Sequence, residues 1–197
     1  VMFIGASGAL RGIFTVKDGF LETGGTMLMI ASITIGALLG ELINIEAQME
    51  RFGEWLKDKA KSSGDTKFVE GFVTASLTVC IGAMAIVGSI EDGISGNHDT
   101  LFAKAALDLV IVMVFAATYG KGVAFSAIPV AILQGIVTIC AGFIAPIMND
   151  SIIANISFIG SMLIFCVGVN LSFSKKFKVG NMLPAIIIPF TYGLIAG

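Results

Sequence analysis

Asp108 sits inside an apolar run, LFAKAALDLVIVMVFAATY, four residues after Lys104. A charge in so greasy a segment is costly, so the carboxylate suggests an ion or proton site. Two plainer readings stand beside it. Lys104 and Asp108 share a helical face and could neutralise each other near a membrane surface, or Asp108 could hydrogen-bond a neighbouring helix. Glu41, at the end of IGALLGE, and Glu70, in KFVEGF, are further carboxylates at the edges of apolar segments. Glu70 opens its segment, where the positive end of a helix dipole favours a negative charge without any further role. Gln134 falls in the middle of its segment and could contact solute or lock two helices together. Asn170 lies towards the same membrane face as Glu41 and Glu70.

Other chemistries lack their residues. There is one histidine, His98, and the three cysteines, Cys80, Cys140 and Cys166, lie apart in apolar stretches. That leaves too few ligands for a His/Cys zinc site and no disulfide framework. GASGALRG is glycine-rich but has no Lys-Ser/Thr, so it is not a phosphate loop, and no nucleophile elbow appears. No metal and no cofactor is expected, and an enzyme is the weaker class. The net charge of −2 argues against nucleic acid as a partner.

The elements that must hold these residues follow from composition. Hydrophobic residues make up 56% and charged residues 13% of the 197 residues, against about 25% charged in a soluble domain. Mean hydropathy is +0.94. The fold class expected is all-α: a polytopic transmembrane helix bundle whose partner is the lipid bilayer. Apolar segments run over 1–13, 26–45, 69–90, 101–119, 123–147, 151–172 and 179–196. The opening VMFIGASGAL is shorter than the roughly 20 residues of a crossing. An N-terminal helical hairpin, incomplete here, is therefore expected over 1–25, with its outer loop.

Loop charges orient the segments. If 46–67 is cytoplasmic, strict alternation puts Arg51, Lys57, Lys59, Lys61, Lys67, Lys121, Lys175, Lys176 and Lys178 inside and only Arg11, Lys17 and Lys104 outside. The acidic stretch with Glu91, Asp92 and Asp99 then lies outside. Ile45, Met49, Phe52 and Leu56 recur at helical spacing beside Trp55, with charges mostly elsewhere on the wheel. This predicts an amphipathic helix over 45–60 along the inner interface; a solvated hairpin is the alternative.

Internal echoes suggest a repeat. CIGAMAIVG (80–88) resembles FIGASGALRG (3–12), and FAATYGKGVA (115–124) resembles PFTYGLIAG (189–197). Grouping the spans in threes gives one unit over 26–121 and a second over 122–197, which would be inverted repeats plus the N-terminal hairpin. Gly8 and Gly12, and Gly36 and Gly40, form GxxxG pairs, while Gly82 and Gly88 lighten another span; all six are read as helix-packing positions. Exposed GxxxG faces make a homodimer plausible. Pro129, Pro146, Pro184 and Pro189 interrupt or end apolar helices, and lipid tolerates this only where protein or water replaces the lost hydrogen bonds.

The stretches GALLGELINIEAQMERFGEWLK, FVEGFVTASLTVCIGAMAIVGSIEDG and AKAALDLVIVMVFAATYGKGV carry a family resemblance over nearly the whole chain. The chain resembles the YdfK/YqgA-like bacterial membrane proteins, named as a domain of unknown function (554). The resemblance implies a multi-span protein with a further N-terminal hydrophobic segment. It supplies no catalytic residues, so Glu41, Glu70, Glu91 and Asp108 stand on physical grounds alone.

The expectation drawn from all this is a secondary transporter or ion-coupled permease for a small solute or ion, in a bacterial inner membrane. Asp108, Glu41 and Glu70 are the candidates for ion or proton binding, and Gln134 and Asn170 for solute contact. A passive channel, or a membrane scaffold or sensor working through the amphipathic helix, are the alternatives.

Overall fold

A computed structural model describes residues 1–17, 20–146, 148–173 and 177–196, with the backbone alone at 15–17, 20–22 and 193–196. The chain is all-α in class, with several long apolar helices. In order these are α1 (Met2–Ile13), α2 (Thr26–Ile43), α3 (Ile45–Lys59), α4 (Phe68–Cys80), α5 (Ala83–Ser95), α6 (Asp99–Tyr119), α7 (Ala127–Ile139), α8 (Ala141–Ile144), α9 (Asp150–Phe173), α10 (Val179–Met182) and α11 (Ile187–Ala196). Segments of 3-10 helix over Gly120–Ser126 and Leu183–Ile186 lead into α7 and α11.

Among the described residues, by length and composition, three helical stretches can cross a membrane, or four if a bent pair counts as one. They are Thr26–Ile43, Asp99–Ile139 and Asp150–Phe173, with α4 and α5 as the bent pair. At 41 residues, Asp99–Ile139 is about twice the length of one crossing. Its interruption is Gly120, at φ 76° and ψ −152°, a conformation open to glycine and closed to side chains. This falls one residue before Lys121, where the sequence reading ends one span and begins the next.

Four local expectations change. The segment 69–90 is not one straight helix: α4 and α5 meet at 63°. The break lies at Ile81 and Gly82, and nothing is within 4 Å of a methyl placed on Gly82, so this glycine marks a break rather than a packing contact. EDGISGNHD is helical as far as Ser95. There Thr100 donates to Glu91 at 2.6 Å and His98 pairs with Asp92, tying the end of α5 to the start of α6. The stretch after α1 holds a short antiparallel pair, β1 (Phe14–Lys17) and β2 (Phe20–Thr23), with Phe14 opposite Thr23. Finally, 179–196 divides into α10, a 3-10 turn and α11. Lys175 and Lys176 lie outside the described residues.

The chain forms two compact units. The first holds Val1–Ile45, Ile81–Ala83 and Ile147–Gly197; the second holds Glu46–Cys80 and Met84–Pro146. These units follow packing, and run along other lines than the division into 1–25, 26–121 and 122–197.

In lipid, apolar surface has no water to escape, so close packing of backbones does much of the work of joining helices. The first unit shows how. Gly5 and Gly8 of α1 lie on the Phe165 backbone and the Ser161 side chain of α9, and Gly12 lies on the ring of Phe158. A methyl on Gly36 or Gly40 of α2 would fall on the backbone of Ala185 or on the carbonyl oxygen of Asn181. Phe158, Ile159 and Ala185 form the core of this unit, with Ile13, Met29, Met162 and Ile186 packed against them. Both GxxxG faces are therefore filled by the chain's own helices.

The second unit is built around α4. Phe68 and Phe72 are fully buried; Phe68 packs on Phe125 with ring centroids 5.2 Å apart, and Phe72 on Phe52 at 5.8 Å. Gly122 leaves room for no methyl against the carbonyl of Phe68, and Gly71 faces Tyr119 and Val123. Gly88 meets Thr100 and Leu101. The amphipathic helix expected over 45–60 is α3, seated by Gly53 on Val69 and Phe72. Its Phe52 and Trp55 stack at 5.7 Å and remain exposed.

Candidate functional site

The end of α2 gathers the polar groups that answer to a site. Glu41 is exposed there, one residue past the glycine that brings α2 onto α10. Lys178 donates to one carboxylate oxygen at 2.5 Å, and the Asn181 amide donates to the other at 2.5 Å. Asn181, buried at 2% exposure, also reaches the side-chain oxygen of Asn44 at 3.4 Å. Asn44 ends α2 in the left-handed conformation that asparagine tolerates better than most residues. The cluster thus joins positions 137 to 140 residues apart in sequence.

Asn170 serves the same end of the unit by a different route. Its amide donates to the carbonyl of Phe177 at 2.7 Å, and its oxygen accepts the Phe177 N–H at 2.9 Å. That fixes the chain just before Lys178, so Asn170 positions the cluster. Its expected role as a solute contact gains no support from this geometry.

In the second unit Asp108 accepts a hydrogen bond from Lys104, one turn earlier on α6. Lys104 is 6% exposed. Of the three readings of Asp108, the local ion pair is the one this geometry matches. Glu70 lies exposed in the first turn of α4, where the helix dipole alone accounts for a carboxylate. Gln134 is half-buried on α7, a helix with no fully buried residue. Glu91 is engaged with Thr100, as described above.

Sequence reasoning missed Asn181 and counted Lys178 only as a loop charge. The signal for Asn181 was available: it is a carboxamide inside VGNMLPAIII, an otherwise apolar segment. The signal for its partner was not, because nothing in the sequence pairs position 41 with position 181.

Long apolar helices and broken segments with prolines define a polytopic helical membrane protein. More narrowly, residues 1–193 match the family described as "Protein of unknown function (DUF554)", and the chain belongs to that family. It is 32% identical over 186 residues to "Uncharacterized membrane protein YdfK" of Bacillus subtilis (strain 168), covering 94% of this chain and 78% of the relative. It is 28% identical over 164 residues to "Uncharacterized protein YqgA" of Escherichia coli (strain K12), covering 81% and 70%. No solved structure matches it.

Proposed function

We propose that this is a secondary transporter or ion-coupled permease for a small solute or ion, in a bacterial inner membrane with 46–67 on the cytoplasmic side. The observation that carries the reading is how the compact units relate to the proposed repeat. Number the six apolar segments of the sequence from α2 onward as one to six, counting α4–α5 as the second and α10–α11 as the sixth. An inverted repeat exchanges one with four, two with five and three with six. The first unit contains segments one, five and six, and the second contains four, two and three. For these segments, with α1 and α3 set aside, the exchange turns the membership of one unit into that of the other. Each unit also holds a 3-10 segment feeding a helix with proline at its third position, Pro129 in α7 and Pro189 in α11. Interlocked inverted repeats with interrupted helices are a ground plan of secondary transporters.

Glu41 is the group best suited to a moving part. Alternating access needs contacts that separate and re-form, and an exposed ion pair exchanges its partner for water at little cost. The Glu41–Lys178 pair, with side chains 56% and 58% exposed, fits that role between α2 and α10. Asp108 then serves chiefly to neutralise Lys104. With the GxxxG faces filled, a homodimer would be built on other surfaces.

Reconstituted vesicles on a solid-supported membrane test the reading. Amino acids, sugars, nucleosides and organic acids are added rapidly with and without a pH or sodium gradient. Currents that need both a solute and an ion gradient are expected. Currents driven by an ion step alone would identify a channel, and silence across the panel would favour a scaffold working through α3.

A further inference from the structure

The contact between α2 and the broken helix runs in steps of four. Gly40 faces Asn181 and Gly36 faces Ala185. One more step along each strand of contact leads to Ser32 and Pro189, and both are fully buried. Ser32 shares the face of α2 that carries the two glycines. Its hydroxyl is the one buried side-chain polar atom among the described residues with no hydrogen-bond partner.

Other buried serines show that this is not the ordinary fate of a helical hydroxyl. Ser76 donates to the carbonyl of Phe72 at 2.6 Å and Ser89 to that of Ala85 at 2.7 Å, each one turn back. Ser32 makes no such bond. The same four-residue step makes Pro189 its counterpart, and Pro189 has no N–H, so the carbonyl of Ala185 loses the donor a regular helix would supply. That carbonyl points along the helix towards Pro189, the residue that this stepping sets against Ser32. The two groups are oxygen acceptors, which suits a cation rather than an anion. Both are neutral hard oxygens, which favours an alkali cation over transition metals, and neither is a carboxylate, which divalent ions favour. Carbonyls of interrupted helices and hydroxyl groups are the ligands that replace the hydration shell of an alkali cation in lipid. Glu41 lies nine residues on with both oxygens occupied by Lys178 and Asn181.

We propose that Ser32 and the proline-freed carbonyl of Ala185 form a binding site for a partly dehydrated alkali-metal cation within the first unit. The site names the class of coupling ion for the transport reading and rests on it for its purpose. Binding itself is measured without flux, so the two stand or fall separately.

The test uses the purified full chain in detergent, melted in lithium, sodium, potassium or choline chloride at equal ionic strength. Ligand binding to the folded state raises the melting temperature by mass action. A saturable rise in one alkali salt over choline is expected for the wild type. Ser32→Ala should keep its melting temperature in choline and need at least about tenfold more cation for the same rise. Ser32→Cys, which keeps the volume but exchanges hard oxygen for soft sulfur, should behave likewise and serves if the alanine variant does not fold. Equal melting in all four salts would overturn the site and assign the hydroxyl to a buried water. A rise that survives both substitutions would overturn it too. Currents in the vesicle experiment would leave transport standing in either case.

Discussion

The two units solve the same packing problem with the parts exchanged. In the first, the glycines lie on the regular helix α2, and the interrupted helix presents its backbone at Ala185 and Asn181. In the second, the interrupted segment itself carries a glycine, Gly122, against the carbonyl of Phe68 on α4, and Gly71 of α4 answers it against Tyr119 and Val123. Charge is handled differently as well. The second unit neutralises Lys104 within one helix turn, whereas the first joins Glu41 to Lys178 across 137 residues. A local pair holds its own helix neutral and needs nothing else to be in place. A long-range pair exists only when α2 and α10 have met, so it reports on assembly. That contrast makes the first unit the better candidate for a conformational change.

The largest effects should come from the glycines. Gly40→Val and Gly122→Val are both expected to abolish a monodisperse folded protein on size-exclusion chromatography. Gly135→Ala, where nothing lies within 4 Å of the new methyl, should be silent. Tolerance at one of the first two positions and not the other would break the parallel between the units. Next comes Asp108→Asn, which strands the ammonium of a nearly buried Lys104. Unpairing a buried ion costs about 3–5 kcal/mol, read as a lowered melting temperature, and Lys104→Met with Asp108→Leu should recover most of it. If Asp108→Asn melts like the wild type, the pair is not what neutralises α6, and an ion site at Asp108 regains its standing.

Glu41→Gln should change stability less than Asp108→Asn, because its pair is exposed and the Asn181 contact can persist. A charge exchange, Glu41→Lys with Lys178→Glu, should restore whatever is lost; failure to do so would dissolve the contrast between long-range and local pairs. The smallest effect is spectroscopic. Trp55 is the chain's single tryptophan, so its emission reports on α3 alone. Quenching by lipids brominated near the headgroup, and not by those brominated at the chain ends, is expected of an interface helix. Equal insensitivity to both would make α3 a solvated hairpin.

Much of this architecture is written locally and could be read locally. The apolar runs, the seam after Glu41 and the stripe of Ile45, Met49, Phe52 and Leu56 depend on composition and period, and they reappear as α2 and α3. The break inside 69–90 was hidden because Ile81–Gly82 is as apolar as its flanks, and nothing in CIGA separates a packing glycine from a bend. The pairing of Phe14–Lys17 with Phe20–Thr23 was not foreseen, because TVKDGFLETGG reads only as an outer loop between apolar segments. The cluster at Glu41 was half legible: a carboxylate at a helix end shows itself, but partners more than a hundred residues away do not. Likewise Ser32 looks ordinary in MLMIASITIG, and only the packing reveals that its hydroxyl is alone.

The division of the chain also sets an order of events during synthesis. α1 and α2 leave the ribosome before the second unit, yet the helices they pack against begin only at Asp150. At about 5–20 residues per second, these two helices wait on the order of 5–20 seconds, while every segment of the second unit is made in between. Until then their glycine faces are open to any neighbour in the bilayer. Nascent α1 and α2 are thus the stage at which this protein most needs a membrane chaperone, and at which truncated chains should be degraded fastest.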